Sequence, residues 1–252
     1  SPVHETGRNE TREVPHLVTL KDDYYIGIYP VTQRQLERII NQRLSYHKLD
    51  ADYATRPVEN ITYVSWRGSK YIWPESKHDV DIEYSRAGQF RKFTGIEFDL
   101  PTEAQWEFAC RAGCGAAFYD GTELEAATGE SANLNRLGRY NVNLGADGAE
   151  CAAAEAGTAK VGSFEPNDWG IYDMLGNVWE LCLDWYQENP TGYDVEKGPA
   201  SGFDRVRRGG SYRNPASTCR VAFRSSISPT STVSEENRSI GVRFVCPAGV
   251  CE

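Results

Sequence analysis

The sequence predicts an α+β domain, irregular and loop-rich, with two or three helices ahead of short antiparallel strands. Capped segments of helical period stand in the first half, and short runs of β-branched and aromatic residues, separated by Gly, Pro, Ser and Asn, follow Gly170. The chain also has no GxGxxG and no GxxxxGK[ST] run, which argues against the nucleotide-binding α/β folds. At 252 residues, with six Trp and fourteen Tyr, it reads as a single domain over 1–252 with enough length to bury its own core.

In chain order, HLVTL and DYYIGIYPV read as strands. Thr32 can cap a helix over QRQLERIINQRL, where Leu36, Ile39 and Ile40 share a face. A loop carrying RPVENITYVSW leads to a second helix, SRAGQFRKF, with Phe90 and Phe93 on one face and Gly95 as its stop. In LPTEAQWEFACRAG, Thr102 and Gln105 have capping-box spacing, Glu103 suits the helix dipole, and Gly113 sits where a terminating glycine belongs. From Gly113 to Gly170 the chain reads as one long loop with a small strand candidate, AKVGSF; loops of that length are usually functional or held by ions. NVWELCLDWY, RVRRGG and IGVRFV are the later strand candidates, and no repeat of solenoid period occurs.

Charge and composition restrict the function. A net charge of −9 argues against a general nucleic-acid binder, which needs clustered Lys and Arg. No apolar run approaches the ~18 residues that span a bilayer, so a soluble domain is expected, its location left open, with surface display and membership of a longer protein among the options. Seven Cys (110, 114, 151, 182, 219, 246, 251) form no CxxC, and with only four His a zinc site is not expected. Six Arg and no acid lie between Arg205 and Arg224. Either they are buried partners of carboxylates elsewhere, or they mark an anion or ligand site.

YYIGIYPVTQRQ, RPVENITYVSW, LPTEAQWEFACRAG, VGSFEPNDWGIYDMLGNVWELCLDWY, RVRRGGSYRNPASTCRVAFR and IGVRF, in that order, resemble the sulfatase-modifying-factor family. This is the formylglycine-generating-enzyme-like branch of the C-type lectin fold, and the resemblance runs from about His16 to Cys246. SPVHE resembles the continuation of the family's first strand, so a longer natural chain is expected. The family implies calcium held by Asp173, Gly176, Val178 and Glu180, a set whose carboxylates flank a glycine turn that can wrap oxygens around a hard cation. The alternative is that Asp173 and Glu180 pair with the Arg-rich strand. A second implied calcium site matches Asn133, Leu134, Asp147 and Ala149. A family disulfide joins positions like Cys110 and Cys246, although Cys246 is displaced from that pattern.

Formylglycine-generating enzymes oxidise a protein cysteine with copper held by two cysteines after a GGSY-like turn, because paired soft thiolates favour Cu(I). Here the second position is Cys219 but the first is Asn214, so copper is not expected. Ser211 and Trp179 match residues that line the family's oxygen pocket, and with Cys219 they are the catalytic candidates if the chain is an oxidase. The three-His site of the related sulfoxide synthases has no support in four scattered His.

The chain also resembles the variable proteins of diversity-generating retroelements, which use this fold to display a mutable C-terminal ligand surface framed by motifs like RRGGS and IGVRF. Between Tyr212 and Ser234 there is no Lys, Gln, Glu, Met or Trp, a restriction that adenine-directed variation of Asn-type codons would leave. Tyr212, Arg213, Asn214, Ser217, Thr218, Phe223, Ser225, Ser226 and Ile227 are therefore the candidate contacts, in a surface over about 212–239. Small polar residues around Tyr, Phe and Arg anchors are also the composition of adaptable paratopes. The reading favoured is a ligand-binding or display domain for a protein or small molecule; the alternative is a metal-dependent oxidase of the formylglycine-generating type.

Overall fold

A four-stranded sheet organises the protein around one doubly buried strand. The computed structural model describes residues 4–48, 51–69, 72–75, 79–143, 157–191, 196–230 and 232–250. Its helices are α1 (Gln33–Ile40), α2 (Tyr63–Arg67), α3 (Arg86–Thr94), α4 (Glu103–Arg111) and α5 (Ala132–Leu137). Its strands are β1 (Tyr24–Ile26), β2 (Gly138–Arg139), β3 (Leu175–Gly176), β4 (Trp179–Trp185), β5 (Arg205–Arg208), β6 (Ser225–Ile227), β7 (Ile240–Gly241) and β8 (Val245–Pro247).

The main sheet has the order β6-β5-β4-β7, with β4 antiparallel to β5 and parallel to β7. Successive side chains of a strand point to opposite faces. Trp179, Leu181 and Leu183 of β4 accordingly join one core, with Leu36 of α1, Trp66 of α2 and Phe90 of α3. Cys182 faces the other core, with Trp106 of α4, Leu134 of α5 and Cys219. A strand buried on both faces reads as a nearly continuous apolar run, as this one does.

The local signals for α1 and α4 act as the sequence predicts. Thr32 with Gln35, and Thr102 with Gln105, each form a complete capping box. The helix count departs from the expectation: five α-helices stand among the described residues. Helix α2 lies in the segment expected as loop, started by its own capping box at Thr62 and Ser65, and α5 lies inside the long loop, capped by Ser131. Both are short, and the tertiary packing of Trp66 and Leu134, both fully buried, supplies what a few residues of helical propensity cannot. HLVTL and AKVGSF form no strand. Phe93 is 71% exposed while Phe90 is buried, so α3 packs one Phe and not the pair.

Candidate functional site

The candidate surface follows β5. Gly209 and Gly210 turn the chain at positive φ, and a Cβ on Gly210 would stand 2.6 Å from the Cys219 sulfur, a separation only glycine permits. Ser211 is buried, and its hydroxyl donates to Asn214 Oδ1 while its carbonyl accepts from the Asn214 amide at 3.0 Å. The two residues close a tight turn. Pro215 then starts a 3₁₀ turn, Ala216–Cys219, in which the Thr218 amide and hydroxyl both donate to the Pro215 carbonyl.

Cys219 is fully buried, and burial pushes its thiol up to about 12 against the opposing backbone amides of Ser211 and Gly176. It is a neutral thiol at physiological pH. The residue standing at the other copper position offers an amide oxygen already occupied by Ser211. A single sulfur and one engaged amide do not supply the paired soft thiolates that Cu(I) prefers. Trp179, the third oxidase candidate, packs in the other core, with its ring 6.2 Å from that of Phe223 and the Arg207 guanidinium 4.8 Å from its centroid.

Of the nine candidate contacts, Arg213 is exposed, and Asn214, Ser217, Thr218, Phe223, Ser225 and Ser226 are half-buried. Tyr212 and Ile227 are buried, at 2% and 8% exposure, so they support the surface from beneath and do not present a face to it. The 3₁₀ turn Glu235–Ser239 ties the two halves together. Arg213 donates to the Glu235 carbonyl at 3.0 Å, the Tyr212 hydroxyl to the Arg238 carbonyl at 3.4 Å, and Arg207 meets Glu236 at 2.7 Å. Upstream residues complete this edge: the Arg238 guanidinium lies 4.1 Å from the Tyr46 ring centroid, and His47 Nε2 is 3.3 Å from the Tyr212 hydroxyl. Tyr46 and His47 carry no local signal that would have assigned them here, because only the fold brings them to a segment so distant in sequence.

The arginine run divides along the lines of its two readings. Arg208 meets Glu103 and Glu107, Arg220 meets Glu5 and Glu13, Arg224 meets Glu103, and Arg207 meets Glu236. These four are structural partners of carboxylates. Arg205 is buried and forms no salt bridge to a carboxylate among the described residues; it is stacked 3.3 Å from the Trp185 centroid and donates to the Leu183 carbonyl at 2.5 Å. Arg213 alone of the six is exposed.

Glu180 does not turn to this strand. Its carboxylate accepts from Arg243 at 2.8–3.2 Å and from Trp106 Nε1 at 2.7 Å, fully buried. Asp173, at φ +57, accepts from the Gly162 amide through Oδ2 at 2.7 Å, and its Oδ1 has no hydrogen-bond partner among the described residues. The two side chains offer a hard cation one uncommitted carboxylate oxygen, Asp173 Oδ1, and Glu180 would have to release Arg243 to add more. No group of three or more His, Cys, Asp and Glu able to hold a metal occurs among the described residues. At the second implied site, the Asn133 side chain donates to the Glu123 carbonyl at 2.9 Å and Leu134 is buried in α5. Asp147 and Ala149 lie outside the described residues. Cys110 is a free, buried thiol in this structure.

Comparison with known proteins agrees with this architecture. The chain is 30% identical over 256 residues to the formylglycine-generating enzyme of Mus musculus, an alignment covering 88% of this chain and 66% of that protein. It spans between 36% and 66% of the length of four formylglycine-generating enzymes it matches. Among solved structures, Treponema denticola variable protein 1 superposes with a TM-score of 0.63 at 25% identity, covering 89% of this chain and 84% of that one. PvdO from Pseudomonas aeruginosa shares the fold, with a TM-score of 0.73 at 20% identity over 98% of this chain and 89% of its own. No helix among the described residues is long and apolar enough to cross a membrane. The family model for the sulfatase-modifying factor enzyme 1-like domain matches residues 3–248, and the chain belongs to that family.

Proposed function

We propose that this protein is a ligand-binding domain that displays a surface over residues 212–239, and that it does not oxidise cysteine. The observation that carries this reading is Asn214, whose amide oxygen accepts from Ser211 where a copper site needs a second thiolate, beside the single buried thiol of Cys219. The likeness to Treponema denticola variable protein 1 supports display as the use of the fold. Arg213, Asn214, Ser217, Thr218, Phe223, Ser225 and Ser226 make the contacts, with Tyr212 and Ile227 as their support. A Phe and an Arg among small hydroxyl residues suit a protein or small-molecule ligand bound through adaptable hydrogen bonds and an aromatic anchor.

Incubating the chain with copper, oxygen and a peptide carrying Cys-x-Pro-x-Arg separates the readings. Display predicts an unchanged peptide mass. A mass shift marking replacement of the cysteine sulfur by an aldehyde oxygen would establish the oxidase instead.

A further inference from the structure

A cavity of about 330 Å³ lies between the N-terminal segment 12–20 and α4, and Ala222 and Arg224 of the 212–239 segment also line it. Val14, Val18, Leu20 and Phe108 give it an apolar wall, and Glu103, Glu107, Asp184 and Arg224 a charged one.

Most of this charge is already matched. Arg224 holds Glu103 through two bonds of 2.7 Å, Arg208 and Arg111 hold Glu107, Arg220 holds Glu5 and Glu13, and Arg12 meets Glu188 at 3.0 Å. Five guanidiniums thus serve five carboxylates, and the sixth carboxylate, Asp184, has no ion-pair partner among the described residues. Asp184 is 2% exposed and accepts a hydrogen bond from the Glu103 amide at 2.6 Å. A buried carboxylate without a cation is costly, and a ligand cation at the cavity would relieve that cost. An anionic ligand would find Arg111 and Arg224 already committed.

We propose that this cavity binds an alkylammonium group, its charged head toward Asp184 and a short apolar stem against the wall of Val14, Val18, Leu20 and Phe108. The chemistry is shared by a free primary amine and a lysine side chain of a protein.

Isothermal titration of the full chain with n-pentylamine, 1-pentanol and pentanoate tests this. Pentylamine binds roughly tenfold or more tighter than either neutral or anionic analogue, the scale of one charge-assisted hydrogen bond. Asp184→Asn keeps an acceptor for the Glu103 amide and removes the preference for the amine. Should that variant fail to fold, Ala104→Phe, which fills the cavity from α4, abolishes pentylamine binding. Equal binding of pentanol, preference for pentanoate, or an amine preference retained in Asp184→Asn or Ala104→Phe overturns the proposal. Nα-acetyl-lysine amide competing as well as pentylamine identifies a lysine side chain as the ligand, and failure to compete identifies a free amine.

Discussion

Arg220 is fully buried and holds Glu5 and Glu13 of the N-terminal segment, which are buried with it, while its Nη2 also donates to the Gly7 carbonyl at 2.7 Å. It lies directly after Cys219 and fastens the chain's first residues behind the display loop. Arg220→Met removes the buried cation that Glu5 and Glu13 share and is expected to cost about 3–5 kcal/mol, measured by urea unfolding. Replacing Arg213, which is exposed and donates to the Glu235 carbonyl, is expected to change stability by less than about 0.5 kcal/mol in the same measurement. At this scale the sequence shows which residues bear charge but not how they pair. Glu180 faces Arg208 in the strand register, yet its carboxylate goes to Arg243, because it points into the space where Arg243 and Trp106 converge. The missing thiolate at Asn214, by contrast, is legible from the sequence alone.

Among the elements, α1 and α4 were legible because capping boxes are local and their residues sit within one turn of each other. Helices α2 and α5 were not, since Trp66 and Leu134 stabilise them through contacts remote in sequence. The loop from β3 into β4 raises the calcium question most sharply. Glu180 bound to Arg243 needs no ion to balance its charge. Thermal unfolding is therefore expected to be the same with and without chelator, because only a ligand bound to the native state raises its stability. A melting temperature lowered by chelator, and restored by calcium, would show an ion bound at one of the two implied sites.

Across the whole molecule, β4 separates two cores, and each face also carries buried charge. Burial raises the Asp184 carboxyl from 3.8 to about 7, with Glu103 adding to it and Arg224 opposing, and raises Asp173 to about 6, with Arg243 opposing. Arg205, Tyr63 and Cys182 also interact with Asp184. Both carboxyls bind protons more tightly folded than unfolded, so stability is expected to fall as pH rises from about 4 through 7. Glu107, lowered to about 2 beside Arg208 and Arg111, acts in the opposite sense and destabilises the fold only as pH drops below about 4. Melting temperature against pH checks this, and Asp184→Asn should flatten the decline up to pH 7. The overall architecture was legible because six motifs occur in family order. The union of residues 212–239 with Tyr46 and His47 was not, because it arises only when the chain folds.

The chemistry of the Asn214 and Cys219 pair is tested most directly by Cu(I) titration against a competing chelator. A display domain with one buried, protonated thiol shows no stoichiometric Cu(I) binding at this pair, and Asn214→Cys introduces it. Tight one-to-one binding by the native chain, lost in Cys219→Ser, would contradict that reading and return the protein to the oxidases.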